Sequence, residues 1–98
     1  MSRVCRWTSL ARRDVRHIEA SIAKHDPKTS VVVTQRIVLA VDALLIEYPE
    51  VGRVSRHPAC REWVIPKLPY WVVYRVGKTT IDILRVLHTR QLWPATDP

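Results

Sequence analysis

The chain has 98 residues, 47% of them hydrophobic, with a net charge of +7 and only two glycines. That allows one domain (1–98) with one modest core, excludes a disordered chain, and leaves no apolar run near the ~18 residues of a membrane span. The charge is uneven, +2 over residues 1–50 and +5 over 51–98, and such a balance draws a small protein to polyanions: nucleic acid, the ribosome or an acidic protein.

In chain order, Arg3 to Trp7 alternates weakly and reads as a first strand, at a sheet edge because of its arginines. Thr8 and Ser9 are N-cap types. Leu10, Ala11, Val15, Ile18 and Ile22 then recur at spacings of three and four, which predicts an amphipathic helix from Ser9 to about His25. Arg12, Arg13, Arg16, Glu19 and Lys24 fall off the stripe, on a solvated face. Asp26 as N-cap with Pro27 at the first helical position starts a second helix. Its stripe is Val33, Ile37, Ala40, Val41, Leu44, Leu45 and Tyr48, and Pro49 stops it. A short link makes the pair an antiparallel helical hairpin.

Pro49 to Cys60 reads as a loop and Arg61 to Ile65 as a short strand, broken by Pro66 and Pro69. The clearest local signal follows. Tyr70–Val76 and Thr79–Leu87 are rich in aromatic and β-branched residues, with Gly77-Lys78 between them. A type II′ turn there would set Tyr74 opposite Ile81, Val72 opposite Ile83 and Trp71 opposite Leu84. One face would then carry Tyr70, Val72, Tyr74, Ile81 and Ile83, and the other Trp71, Val73, Leu84, Val86 and His88. The layout is β-α-α-β-β-β: an α+β fold with an N-terminal helical hairpin packed on a small antiparallel sheet.

Little in the chain points to conventional small-molecule catalysis. Phosphate-binding glycine loops, Ser/His/Asp spacing and metal-ligand pairs are all missing, so neither a metal nor another cofactor is expected. Cys5 and Cys60 read as two unpaired, partly buried thiols. His88 ends the last strand, two residues before Arg90. A His with an Arg at a strand end can do acid–base work on a phosphodiester, and a His there also serves as a cap for a neighbouring carbonyl. Arg53, Arg56, His57, Arg61, Lys67, Arg85 and Arg90 could gather into one patch with Trp63, Trp71 and Tyr70. Such a patch suits backbone neutralisation with base stacking, or else is a solvated rim over core tryptophans. The N-terminus has arginines but no apolar core followed by a small-residue cleavage site, so a cytoplasmic protein is expected.

Several motifs together resemble one family. Trp7-Thr8 precedes a helix with Ala11 and Asp14, and Asp26-Pro27 opens the next. Tyr48-Pro49-x-x-Gly52-Arg53 follows, then Arg61-Glu62-Trp63-Val64-Ile65, Pro69-Tyr70-x-Val72-Val73-Tyr74-Arg75-Val76 and Ile83-Leu84-Arg85-Val86-Leu87-His88. Over nearly its whole length the chain resembles the RelE/ParE toxin superfamily, the toxins of type II toxin–antitoxin, or plasmid-stabilisation, modules. The resemblance implies a cognate antitoxin, mostly acidic, that wraps the toxin and alone contacts operator DNA.

The superfamily divides by activity. One branch consists of ribosome-dependent mRNA endonucleases (mRNA interferases) that use basic residues on the sheet and a C-terminal Tyr or His. The other poisons DNA gyrase. Here the nuclease lysines would fall at Glu62 and Val64, and an arginine at Trp71; only Arg90 has a counterpart, with His88 nearby. The resemblance therefore favours the gyrase-directed branch, with Arg53, Arg56, Arg85, Arg90 and Trp93 near the target contact. The alternative is a nuclease in which His88 and Arg90 act with help from Arg61. A third reading is a degenerate toxin kept as a binding module. The antitoxin is expected to place an amphipathic segment at the exposed apolar edge of the sheet or in the groove beside the helical hairpin, by strand addition or as a helix.

Overall fold

In the computed structural model, which describes residues 3–93 apart from the Leu44 side chain, the chain runs β1 (Val4–Trp7), α1 (Ser9–Ala23), α2 (Pro27–Ala40), β2 (Arg53–Val54), β3 (Cys60–Val64), β4 (Tyr70–Val76) and β5 (Thr80–His88). The strands form one sheet in the order β1-β5-β4-β3-β2. Every pair is antiparallel except β1 with β5, which is parallel. The sheet is thus mixed rather than purely antiparallel. The chain leaves β1 through the helices, enters the sheet at the β2 edge and works back until β5 lies beside β1.

Both helix starts form as their residues dictate. The Thr8 hydroxyl accepts from the Ala11 N–H at 3.2 Å. Asp26 accepts from the Thr29 N–H at 3.2 Å and from the Thr29 hydroxyl at 2.6 Å, with Pro27 opening the first turn. In α1 the buried face is Ala11, flanked by Val15 and Ile18. Leu10 is exposed instead. At ~100° per residue it lies a full step round from Ala11, off the stripe.

In α2 the core line is Ser30, Thr34 and Ile37, continued by Val41 and Leu45 in a π-helical turn over Val41–Leu45. Ile37, Val41 and Leu45 are fully buried, each burial being worth about 1.5–3 kcal/mol. The two polar members are satisfied locally: the Ser30 hydroxyl donates to the Pro27 carbonyl at 2.7 Å and the Thr34 hydroxyl to that of Ser30 at 2.9 Å. Tyr48, expected on the stripe, is exposed, and Leu44 lies outside the described side chains. The π turn brings Asp42 round to β1, where its carboxylate accepts from Trp7 Nε1 at 3.2 Å. The acid that interrupts the apolar run thus serves as a tie between layers.

The segment expected to be a loop contains β2, a two-residue strand that pairs Arg53 with Glu62 and Val54 with Arg61. The hairpin also differs from expectation. Gly77 does not adopt positive φ, and its N–H donates to the Thr80 carbonyl at 2.8 Å, so the turn centres on Lys78-Thr79. Tyr74 sits opposite Ile83, Val76 opposite Ile81, and Trp71 opposite Leu87. A bulge at Leu84 then shifts the register, which exchanges the faces of everything after it. Val86 joins Tyr70, Val72, Tyr74, Ile81 and Ile83 under the helices, and His88 pairs with Tyr70 on that side. Leu87, not Val86, packs with Val73 and Cys60 on the open face, beside Trp71, Leu84 and Trp93.

Candidate functional site

The bulge has a cause in α1. Opposite Ile83, β1 ends and α1 begins to cross, so the outer edge of β5 loses its strand partner. Side chains replace it. The Thr8 hydroxyl donates to the Ile83 carbonyl at 2.7 Å. Asp14 accepts from the Val86 N–H at 2.9 Å and from Arg85 Nε and Nη2 at 2.7 and 2.9 Å. Gln91 Oε1 accepts from the His88 N–H at 2.8 Å. Hydrogen bonding to Asp14 raises the Arg85 pKa above its ordinary value. Arg85, expected at a target contact, is engaged in closing this edge.

His88 is similarly occupied. Its Nδ1 accepts from the Arg90 N–H at 3.1 Å, and its carbonyl accepts from Trp71 Nε1 at 3.0 Å and from the Gln91 N–H at 2.8 Å. The ring meets Tyr70 edge-on, with centroids 5.5 Å apart. The bond from Arg90 occupies Nδ1 as an acceptor. The ring thus acts as a cap, but of the Arg90 N–H rather than of the carbonyl expected from the sequence. Arg61 is on the same side but opposite Tyr74, four residues along β4 from the partner of His88, which is roughly 13 Å. Its guanidinium donates to the Gly52 carbonyl at 2.8 Å. The nuclease set His88, Arg90 and Arg61 is therefore not one cluster. Arg90 meets His88 through its backbone.

The open face, away from the helical hairpin beside which a groove was expected, holds the larger of two concavities among the described residues. A groove of about 840 Å³ lies between β2 with the turn after it, and the segment Thr89–Trp93 that follows β5. Trp71, Glu62 and Val64 lie along it, and Arg53, Arg56 and Trp93 line its sides. Of the expected target-binding residues, these three come together, while Arg85 and Arg90 stand outside. Arg53 is held by Glu62, whose Oε1 accepts from its Nε and Nη2 at 3.0 and 2.8 Å, while Oε2 accepts from the Ser55 hydroxyl at 2.8 Å. Trp93 stacks at a tilt on His57, centroids 4.8 Å apart. Val54, Val64 and Leu92 are exposed around the rim. Lys67 is exposed in the β3–β4 turn, and Tyr70 and Trp63 belong to the core beneath the helices. The one basic patch considered from the sequence is thus dispersed.

At the far end of the open face, Asp82 lies between Arg75 and Arg6. Each donates through Nη2 to its Oδ2 at 3.1 Å, and Arg6 Nε stands 3.1 Å from Oδ1 without hydrogen-bond alignment. Burial opposes the charge, but the bonds from Arg75 and Arg6 outweigh it and hold the carboxyl below the usual range. The thiols face opposite sides of the sheet, Cys5 towards the helices and Cys60 towards the open face, and both are free. Burial, reinforced by the Asp42 carboxylate, pushes Cys5 up to about 11, a poor nucleophile at neutral pH. Among the described residues no three His, Cys, Asp or Glu side chains converge on a metal position, and no helix is long and apolar enough to cross a membrane.

Sequence reasoning did not isolate the Asp14–Arg85 pair, the Gln91 cap, or Tyr74, whose hydroxyl donates to the Pro49 carbonyl at 2.8 Å and accepts from the Gly52 N–H at 2.9 Å. Asp14, Gly52 and Tyr74 had stood out only as parts of the family-like motifs.

Comparison with known proteins agrees with this architecture. The model of a family described as the ParE toxin of the type II toxin–antitoxin system parDE matches residues 5–93. A protein of Sinorhizobium fredii named "Putative toxin Y4kP" is 44% identical over 89 residues, 91% of each chain. Among solved structures, a chain of the chromosomal ParDE system from P. aeruginosa superposes with a TM-score of 0.81 at 26% identity, covering 88% of this chain and 95% of that one. A chain of the toxin–antitoxin complex RelBE2 from Mycobacterium tuberculosis gives 0.65 at 26% identity, covering 90% and 92%. The chain therefore belongs to the ParE toxin family of type II toxin–antitoxin systems, within the ParE/RelE superfamily.

Proposed function

We propose that this toxin arrests growth by inhibiting DNA gyrase rather than by cutting mRNA, and that a cognate antitoxin neutralises it by covering the open-face groove. The observation that carries the reading is on β3. Where a nuclease of the superfamily would present lysines, the open face carries Glu62, locked by Arg53 and Ser55, and the exposed Val64. A carboxylate there opposes the charge that builds on a phosphoryl transition state, and a missing cation in such a site is often worth ~3 kcal/mol. The capped His88 supports the same conclusion, because its Nδ1 is already engaged by the Arg90 N–H and is not free to accept from a ribose hydroxyl.

The groove suits an antitoxin segment. Its rim joins apolar Val54, Val64 and Leu92 to cationic Arg53 and Arg56, which favours an amphipathic, acidic peptide. Strand addition at this groove would use the β2–β3 edge beside it, since the sheet's other end is formed by β1 and by the part of β5 closed by Thr8, Asp14 and Gln91. The test is a paired assay on purified toxin with and without antitoxin: gyrase supercoiling beside mRNA cleavage on programmed ribosomes. Supercoiling is expected to stop and to resume on adding antitoxin, with the mRNA intact. Cleavage of ribosome-bound mRNA would overturn the reading.

A further inference from the structure

The outer face of α1 is a cationic ridge. Arg12, Arg13, Arg16 and Lys24 are all exposed there, and among the described residues none has an ion-pair partner. At 3.6 residues per turn they fall, with His17, within about 140° of arc. The helix's first acid does not dilute them: Asp14 points to the sheet and is neutralised by Arg85. Only Glu19 borders the ridge, beside Arg12 and Arg16. Between the cations stand Ser9 and Ala20, both small and exposed, so a flat anionic surface can approach the helix closely.

We propose that this ridge is a docking surface for the backbone of duplex DNA, separate from the groove on the other side of the sheet. Three features select that partner. Protein interfaces centre on buried aromatic or large apolar anchors, and the arc from Arg12 to His17 holds none, the exposed Leu10 standing just past His17 at its border. Single strands are gripped by stacking on aromatic side chains, which the arc also lacks. A duplex backbone asks only for spaced positive charge. From Arg12 to Lys24 the ridge is about 18 Å long, against one phosphate per ~3.4 Å of axis on each strand, so each cation can meet a separate phosphate.

The test is fluorescence anisotropy of the purified toxin with 20-base-pair mixed-sequence duplexes of DNA and of RNA, across a salt series, beside a single strand and an oligoglutamate peptide. The DNA duplex is expected to bind, with a log–log salt slope that falls by about 2 in Arg12→Gln/Arg16→Gln. The double variant Lys67→Gln/Lys78→Gln removes the same charge away from the ridge and is expected to keep the slope. Glu19→Gln is expected to tighten binding, an outcome that loss of folding cannot imitate. Ridge-dependent binding of the DNA duplex supports the proposal, and ridge-dependent binding of the RNA duplex alone would overturn it. Equal losses in the two double variants would mean that net charge alone is at work and would overturn it. Tighter binding of the single strand, or ridge-dependent binding of oligoglutamate without duplex binding, would overturn it as well.

Discussion

At Gly52 the constraint is space rather than backbone conformation. Its φ is not positive, yet a Cβ would lie 2.6 Å from the Tyr74 hydroxyl and 2.8 Å from the Glu62 carbonyl oxygen. The first neighbour is the buried end of a ring held by Pro49 and by Gly52 itself. The second is backbone of β3 and cannot swing away. Gly52→Ala is therefore expected to destabilise the fold by about 1–3 kcal/mol, the usual cost of overpacking, read from urea unfolding midpoints. In a Tyr74→Phe background the same substitution should cost less, because the closest of three collisions is gone, while those with the ring carbon Cε1 at 2.9 Å and the Glu62 carbonyl remain. Equal costs in both backgrounds would show that the ring hydroxyl is not the obstacle. The sequence displayed the Tyr48-Pro49-x-x-Gly52-Arg53 motif but not its reason. Tyr74, Pro49 and Glu62 reach Gly52 only through the sheet register.

The same limit separates elements that were legible from those that were not. Both helices, β1, β3 and the β4–β5 hairpin are visible because each carries its own periodicity or cap. β2 is two residues long and shows no pattern. The bulge at Leu84 answers a demand from another element, the crossing of α1 over the unpaired edge of β5, and a local reading of alternation missed it. That reading therefore placed Val86 and His88 on the wrong face. Of the residues expected near a target, Arg53, Arg56 and Trp93 come together along the groove, while the structural engagement of Arg85 and His88 was hidden in distant partners. Asp14 is the pivot of this edge. Asp14→Asn keeps the shape but puts an NH₂ against a set of donors, leaving Arg85 or the Val86 N–H unpaired. A loss of about 1–3 kcal/mol is expected, with Val86 amide exchange accelerated by far more than that of Ile81 under native conditions. Unchanged exchange at Val86 would mean that its amide is protected by something other than the carboxylate.

For the whole molecule, the two sides of the sheet divide the work. The helix side supplies the core, and its outer surface supplies the ridge. The open side carries a groove whose positive rim is only partly neutralised, since Glu62 balances Arg53 while Arg56 is exposed and has no ion-pair partner among the described residues. A rim charge of this kind acts on encounter more than on the docked state. Arg56→Glu should therefore slow association with an acidic antitoxin at low ionic strength and leave dissociation nearly unchanged. The effect should shrink as salt shortens the Debye length from ~10 Å at 0.1 M towards ~3 Å at 1 M. Lys78→Glu, in the β4–β5 turn, changes the net charge equally but stands away from the groove, so it should slow association less. Stopped-flow mixing of each variant with the antitoxin separates the cases. If the two variants slow association alike, the antitoxin is steered by overall charge and the groove has no special place in the encounter. If Arg56→Glu instead speeds dissociation many-fold, Arg56 is buried in the docked complex and the antitoxin seats deeper than a rim contact would allow.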